Sequence, residues 1–101
     1  MTVEELKKLR DAKKDHLLLD VREQGEWDTC SIEGAKLIPM SGLQGRLADI
    51  PKDKPVVVHC HHGGRSARVV AWLKQQGYDA HNLEGGIDAW SERIDPNVPR
   101  Y

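Results

Sequence analysis

The chain of 101 residues is 39% apolar, which is enough to bury one hydrophobic core but too short to suggest two. Its 15 Lys and Arg residues nearly balance 16 Asp and Glu residues to a formal net charge of -1, so no field that attracts nucleic acid is expected. The first residues lack the apolar core of a signal peptide, and no apolar run approaches the roughly 20 residues that span a bilayer. We therefore expect a single soluble domain over residues 1–101, with neither a membrane nor a nucleic-acid partner and with a cytoplasmic location.

In the first half of the chain, helix signals alternate with short apolar runs. Thr2 followed by Glu5 forms a capping box, which predicts a short amphipathic helix near the start. The run at residues 16–21 predicts a strand buried on both faces, and the run at 35–40 predicts a weaker strand. The pattern S-x-x-Q at residues 41–44 repeats the capping signature and predicts another helix start.

The second half of the chain continues this alternation. Residues 55–60 form the strongest predicted strand, because the run is rich in β-branched residues and follows a breaker segment. The spacing after the glycine pair predicts a helix that ends near Gly77, a residue suited to a C-terminal cap. Residues 79–83 predict a last strand and 85–93 a short helix, after which 95–101 should form an irregular tail.

This regular order of strands and helices predicts an α/β domain with a mainly parallel central sheet and helices on both faces. In such sheets, ligands gather beyond the carboxyl ends of the strands, where the loops that lead into helices converge. The segments "LLLDVRE" and "VVVHCHHGGRS" both place polar residues at that edge. We therefore expect the functional site there.

Cys60 ends the strongest strand, and only four residues separate it from Arg65. Gly63 and Gly64 permit backbone angles that turn successive amide N–H groups toward the sulfur and form an anion-binding nest. The following helix adds its free amides and the positive end of its dipole. A thiol held there ionises more easily, and Arg65 supplies a planar fork for an oxyanion.

A free cysteine is more often a small buried hydrophobic residue than a reactive one, and this is the alternative interpretation of Cys60. The glycine pair, the arginine and the position between a strand and a helix favour a reactive thiolate. The second cysteine, Cys30, could form at most one internal bridge, so we interpret both residues as thiols in a reducing compartment.

Four motifs resemble those of single-domain rhodaneses, the thiosulfate sulfurtransferases and their relatives. "CHHGGR" resembles the C-x-x-G-x-R active-site loop, and "LLLDVRE" resembles the first-strand motif of that family. "SIEGAKLIP" and "NLEGGIDAW" are similar to two further family segments in the family's order. The resemblance spans nearly the whole chain and implies one rhodanese domain with a sheet of about five strands.

The resemblance implies a sulfur relay without a cofactor. Cys60 would attack the outer sulfur of a small donor such as thiosulfate and carry it as a persulfide in the amide nest. It would then pass the sulfur to a thiophilic acceptor, which is cyanide in the assay and a thiol or a sulfur carrier in the cell. The sequence says nothing about the natural donor, the acceptor or the oligomeric state.

The resemblance also implies roles for residues around the nucleophile. Arg65 would bind the oxyanion of the donor, Arg22 would help to hold an anionic donor, and Asp20 would fix loop backbone or an arginine. The remaining candidates around the donor lie in the loop and the first turn of its helix: His61, His62, Gly63, Gly64 and Ser66.

For several side chains the sequence allows two roles. His61 and His62 either tune the thiolate or point to solvent at the mouth of the site. His59 is expected to be a packed structural histidine. Cys30 could resolve an oxidised Cys60 as a disulfide or could be a partly buried spectator.

Three other functions are compatible with parts of this pattern. A metal site is disfavoured, because four consecutive residues cannot surround a tetrahedral ion and no spaced pair such as C-x-x-C is present. A cysteine-dependent phosphatase or arsenate reductase on the rhodanese fold would have five residues between cysteine and arginine, whereas this loop has four. A non-catalytic interaction domain of the same family would commonly lack the cysteine, which is present here.

Overall fold

A computed structural model describes all 101 residues. The helices and strands alternate as the sequence predicts, and the structure adds one helix, at residues 24–29, which the sequence analysis did not predict. In chain order they are α1 (Val3–Asp11), β1 (Leu17–Asp20), α2 (Gln24–Thr29), β2 (Lys36–Leu37), a 3₁₀ helix (Met40–Asp49), β3 (Val56–His59), α3 (Gly64–Gln75), β4 (Ala80–Asn82) and α4 (Gly86–Arg93). None of these helices combines the length and the apolar character needed to span a bilayer.

The four strands form one sheet in the order β2-β1-β3-β4, and every pairing is parallel. The α/β class and the parallel sheet are therefore confirmed. The expected strand count of about five is one too high, because no segment beyond the four apolar runs pairs with the sheet. The longest pairing joins Leu17–Asp20, in the run expected to be buried on both faces, to Val56–His59, in the strongest predicted strand.

Two apolar clusters cover the two faces of the sheet. Side chains alternate along a strand, so Val56 and Val58 face one cluster while Val57 faces the other. Helix α3 and the 3₁₀ helix pack on the first face, and α1 and α4 pack on the second. Cys60 belongs to the first face and Cys30 to the second.

Strand β2 is shorter than the predicted run at residues 35–40. Pro39 cannot donate a backbone hydrogen bond, so the ladder loses its regular form at this point. The amides of Ile38 and Met40, on either side of the proline, still donate to Asp20 and Val21 at 2.9 and 3.0 Å. The extended path therefore continues along β1 beyond the two residues of the strand proper.

The predicted capping role of Ser41 is wrong. The helix of this region is a 3₁₀ helix whose N-cap is Pro39, without a side-chain cap. Ser41 lies inside that helix, and its hydroxyl donates to the carboxylate of Glu23 at 3.1 Å. A charged acceptor within reach competes with the local backbone for a serine hydroxyl.

Residues 95–101 contain no helix or strand, as expected, but they are firmly attached to the domain. Val98 is buried in the second cluster, and the hydroxyl of Ser91 donates to its carbonyl. Arg100 forms an ion pair with Asp88 on α4 at 2.9 Å. These contacts bring Tyr101 to the carboxyl edge of the sheet, beside the loop that follows β3.

Candidate active site

The sulfur of Cys60 lies at the bottom of a cradle of hydrogen-bond donors. The amides of Gly63 and Ser66 donate to Sγ at 3.1 and 3.4 Å, and the hydroxyl of Ser66 lies 3.4 Å from the same atom. The residue is 1% exposed. Burial alone would raise the pKa of this thiol, but the hydrogen bonds from Ser66, Gly63 and the Arg65 amide outweigh burial and lower it. The cradle therefore favours the thiolate form of Cys60.

The backbone of the loop is shaped by glycine. Gly63 has a φ of +117°, a conformation that side chains disfavour, and it forms the N-cap of α3 without a capping side chain. This turn directs the amide of Gly63 at the sulfur and leaves its carbonyl to accept from the side-chain amide of Asn82 at 3.3 Å. Gly64 is the first residue of α3 and has open space on its side-chain face.

Helix α4 holds the other side of the loop. Its amides at Ile87 and Asp88 donate to the carbonyls of Cys60 and His61 at 2.9 and 3.1 Å. Gly86 lies so close to this backbone that an added Cβ would collide with the carbonyl oxygens of Cys60 and His61. Gly86, the first residue of α4, therefore supports the nucleophile loop.

Arg65 is paired with an acid that the sequence analysis did not single out. Its two terminal nitrogens donate to the two carboxylate oxygens of Glu26 at 2.8 and 2.7 Å. This bidentate pair holds the pKa of Glu26 at about 2, chiefly through the hydrogen bond from Arg65, and raises the pKa of Arg65. Arg65 thus borders the cradle, but its donor fork already has a partner.

The structure places Arg22 elsewhere than expected. Its side chain is fully buried, with Nε and Nη2 donating to the carboxylate of Asp20 at 3.0 and 2.7 Å. The same guanidinium donates to the carbonyls of Glu26 and Cys30. In this structure the Arg22 side chain has no exposed surface with which to contact a donor. Asp20 holds an arginine, which was one of its two expected roles.

His61 and His62 stack on each other with ring centroids 3.9 Å apart. His61 is half-buried, and burial, followed by the neighbouring His62, lowers its pKa. His62 is exposed, and its Nε2 lies 3.8 Å from Asp88. No contact joins either ring to the sulfur of Cys60 among the hydrogen bonds of the site.

These two histidines and Asp88 are the one group of side chains that could gather around a metal ion. Their ligand atoms lie within 4.8 Å of one another. Arg100 already binds both oxygens of Asp88, at 2.9 and 3.1 Å, and its positive charge disfavours a metal cation there.

His59 and Cys30 lie away from the cradle. His59 is fully buried, and burial lowers its pKa to about 4, so the ring is neutral near pH 7. Cys30 lies on the opposite face of the sheet from Cys60, with Arg22 Nη1 3.8 Å from its sulfur. The sheet separates the two thiols, so the spectator reading of Cys30 is the one the structure favours.

Comparison with known proteins identifies the family and the fold to which this chain is similar. The family model described as a rhodanese-like domain matches residues 2–93. A protein named sulfurtransferase from Allochromatium vinosum is 42% identical over 86 residues, which cover 84% of this chain and 80% of that protein. The crystal structure of a rhodanese-like domain protein from Staphylococcus aureus has a TM-score of 0.87 at 36% identity, covering 100% of this chain and 96% of its own.

In longer relatives, only one region of the protein matches this chain. The probable adenylyltransferase/sulfurtransferase MoeZ of Mycobacterium tuberculosis is 39% identical over 104 aligned positions, which cover all of this chain and 26% of MoeZ. The chain therefore spans about a quarter of the length of that relative.

Proposed function

The chain belongs to the rhodanese-like domain family, and from that premise we propose that it is a sulfurtransferase with Cys60 as the sulfur-carrying nucleophile. The donor is a compound with a sulfane sulfur, of which thiosulfate is the simple assay substrate. The acceptor is thiophilic: cyanide in the assay, and a thiol or a sulfur carrier in the cell. No cofactor takes part in this scheme.

The observation that carries this proposal is the cradle around Cys60. The donors from Gly63 and Ser66 stabilise negative charge on Sγ, and the same donors would stabilise charge on a persulfide. Because the groups are backbone amides held by α3 and α4, they need little reorganisation during the reaction.

The chemistry divides one transfer into two displacements on sulfur. The Cys60 thiolate attacks the outer sulfur of thiosulfate, a new S–S bond forms, and sulfite leaves with the electron pair of the broken bond. The acceptor then attacks the outer sulfur of the Cys60 persulfide and regenerates the thiolate. Charge and sulfur are conserved in each step, and no oxidant is needed.

A sulfur carrier is included among the acceptors because of the longer relatives. The names of MoeZ and of a maize protein, MOCS3-2, join an adenylyltransferase to a sulfurtransferase. This chain is 39% and 35% identical to regions that cover 26% and 23% of those proteins. The two free cysteines support a reducing compartment, and we propose the cytoplasm.

A phosphatase or arsenate reductase is the second candidate, because a nucleophilic cysteine beside an arginine also suits an oxyanion. Two observations disfavour it. The loop has four residues between Cys60 and Arg65, and the fork of Arg65 is engaged by Glu26 instead of being open to a phosphate.

Parallel assays separate these candidates. The protein is incubated with thiosulfate or cysteine persulfide plus cyanide, and thiocyanate is measured; a second sample receives an aryl phosphate. We expect thiocyanate and no phosphate release, and we expect Cys60→Ser to form no thiocyanate while retaining its fold. Phosphate release without sulfur transfer would replace this proposal with the phosphatase reading, and activity with neither substrate would favour an interaction domain.

A further inference from the structure

The side chain of Tyr101 links the two ends of the loop that carries Cys60. Its ring stacks on His61, the first residue after Cys60, with centroids 3.9 Å apart. Its hydroxyl donates to Glu26 at 2.9 Å, and the same carboxylate binds both terminal nitrogens of Arg65, at the far end of the loop. The phenol therefore lies across the mouth of the cradle.

The sulfur of Cys60 is shut off from solvent in this arrangement. The residue is 1% exposed. The cavities of the structure lie on other parts of its surface, and none is lined by Cys60 or by residues 61–66. A displacement on sulfur requires the reacting atoms to approach to about 3–3.5 Å. A donor or an acceptor can therefore reach Cys60 only after part of its cover has moved.

Tyr101 is the part of the cover that is held most weakly. It is 43% exposed, its backbone makes no hydrogen bond within the chain, and only side-chain contacts hold it in place. The loop itself is held by backbone, because the amides of Ile87 and Asp88 donate to the carbonyls of Cys60 and His61 at 2.9 and 3.1 Å. The ring can therefore leave while the cradle keeps its shape.

The tail is anchored just before this residue. Val98 is buried in the second apolar cluster, and Arg100 forms an ion pair with Asp88 at 2.9 Å. A rotation of Tyr101 alone therefore opens the mouth, and the rest of the tail stays on α4.

From these contacts we infer that Tyr101 is a gate, which closes over Cys60 in this structure and swings out to let sulfur enter and leave. The inference rests on the proposed sulfurtransferase function and adds the control of access to its site. In the closed state the ring shields a Cys60 persulfide from nucleophiles in solution. Donor and acceptor pass the same gate, so the fraction of open molecules limits both half-reactions.

Alkylation of Cys60 by iodoacetamide measures the gate without any sulfur transfer. At a pH above the pKa of the thiol, the rate reaches a plateau that depends on access to the sulfur and no longer on the thiolate fraction. We expect Tyr101→Ala to raise this plateau at least about fivefold, because a closed state lowers the observed rate by the open fraction.

Release of sulfur to cyanide tests the same gate in the second half-reaction. The wild type and Tyr101→Ala are loaded with cysteine persulfide and freed of donor, and thiocyanate is followed over a single turnover. Cyanide attacks the outer sulfur of the persulfide and leaves as thiocyanate, while the electron pair of the broken S–S bond returns to Cys60. We expect Tyr101→Ala to release its sulfur at least about fivefold faster.

Lys52→Ala is the matched control variant. It removes a side chain whose Nζ lies 5.1 Å from the centre of the Tyr78 ring, in the segments that lead into β3 and β4. Parallel strands begin at the edge of the sheet opposite to the cysteine loop, so both rates should match the wild type.

Equal plateaus or equal rates of sulfur release in the wild type and Tyr101→Ala would overturn the inference, and so would the same gain in Lys52→Ala. The proposed function fails in a different way. If neither the wild type nor Tyr101→Ala takes up sulfur, that function is overturned, while the alkylation plateaus still decide whether Tyr101 covers Cys60.

Discussion

The phenol ring of Tyr101 lies parallel to the imidazole of His61, with centroids 3.9 Å apart and planes 9° apart. The Tyr101 hydroxyl accepts from Arg22 Nη1 at 3.0 Å and donates to Glu26 at 2.9 Å. One side chain of the tail thus contacts the nucleophile loop, the partner of Arg65 and the buried ion pair. Residue 101 is part of the site, although nothing in the sequence singled it out.

Removing the Tyr101 ring should change the titration of His61. Tyr101→Ala exposes the imidazole, so the lowered pKa of His61 should rise toward its usual value, because burial is the main cause of its depression. Tyr101→Phe keeps the ring and should keep the pKa. Nuclear magnetic resonance titration of the imidazole protons measures the His61 pKa in each variant. Tyr78→Phe is the control, because it removes a hydroxyl that donates to the Leu47 carbonyl, away from His61. An unchanged His61 pKa in Tyr101→Ala would contradict this account.

Removing the hydroxyl of Ser66 should make Cys60 a weaker acid. The hydroxyl lies 3.4 Å from Sγ and is the largest of the contributions that lower the thiol pKa. In Ser66→Ala we expect the pKa of Cys60 to rise and the rate of alkylation by iodoacetamide at neutral pH to fall by roughly threefold or more. The control Ser41→Ala removes a hydroxyl that binds Glu23, so its alkylation rate should stay at the wild-type value. If the pH profile of alkylation in Ser66→Ala matched that of the wild type, the Ser66 hydroxyl would not contribute to the lowered pKa of Cys60.

The Glu26–Arg65 pair should make the stability of the domain sensitive to acid. The pKa of Glu26 falls from its usual 4.5 to about 2 on folding, so the pair stabilises the fold above about pH 4.5. That contribution is lost as the pH falls from about 4.5 to about 2. Because both side chains are partly exposed, we expect about 1 kcal/mol.

Chemical denaturation of the wild type and Glu26→Gln at a series of pH values measures this contribution. The advantage of the wild type in free energy of unfolding should be present near neutrality and should shrink toward pH 2. An advantage that stays constant over this range would show that the carboxylate charge contributes nothing.

Gly86→Ala should be strongly destabilising. Gly86 has a φ of +59°, and an added Cβ would collide with the carbonyl oxygens of Cys60 and His61. We expect a loss of about 2–4 kcal/mol in the free energy of unfolding. Gly25→Ala is the control, because it has open space and an α-helical position, and it should leave stability unchanged or raise it by up to about 1 kcal/mol. Equal stability of the two variants would contradict the close packing of α4 on the loop.

The parts of the fold that follow from local patterns could be predicted from the sequence. The β-branched run at 55–60 forms the central strand β3, and Gly77 has a φ of +90° at the end of α3. The Tyr78 amide donates to Leu73 and the Gly77 amide to Lys74, which is the hydrogen-bond pattern of a glycine cap. Each of these features depends on residues within a few positions of one another.

The parts that depend on distant partners could not be predicted. Arg65 meets Glu26 across 39 positions, and Tyr101 meets Arg22 across 79. A motif identifies an arginine but does not show what encloses its side chain, so Arg22 was assigned to substrate although the carbonyl of Cys30 and the hydroxyl of Tyr101 accept from it. Ser41 failed for the same reason, because the carboxylate of Glu23, 18 positions earlier in the chain, binds its hydroxyl.

The central claim is that Cys60 carries sulfur, and intact-mass measurement tests it most directly. The wild-type protein is incubated with cysteine persulfide or thiosulfate, and excess donor is removed. Its intact mass is then measured by mass spectrometry before and after treatment with cyanide. We expect a gain of one sulfur atom that cyanide removes, and no gain in Cys60→Ser, while Cys30→Ser behaves as the wild type. No added sulfur on the wild type, or an equal gain in Cys60→Ser, would contradict the account.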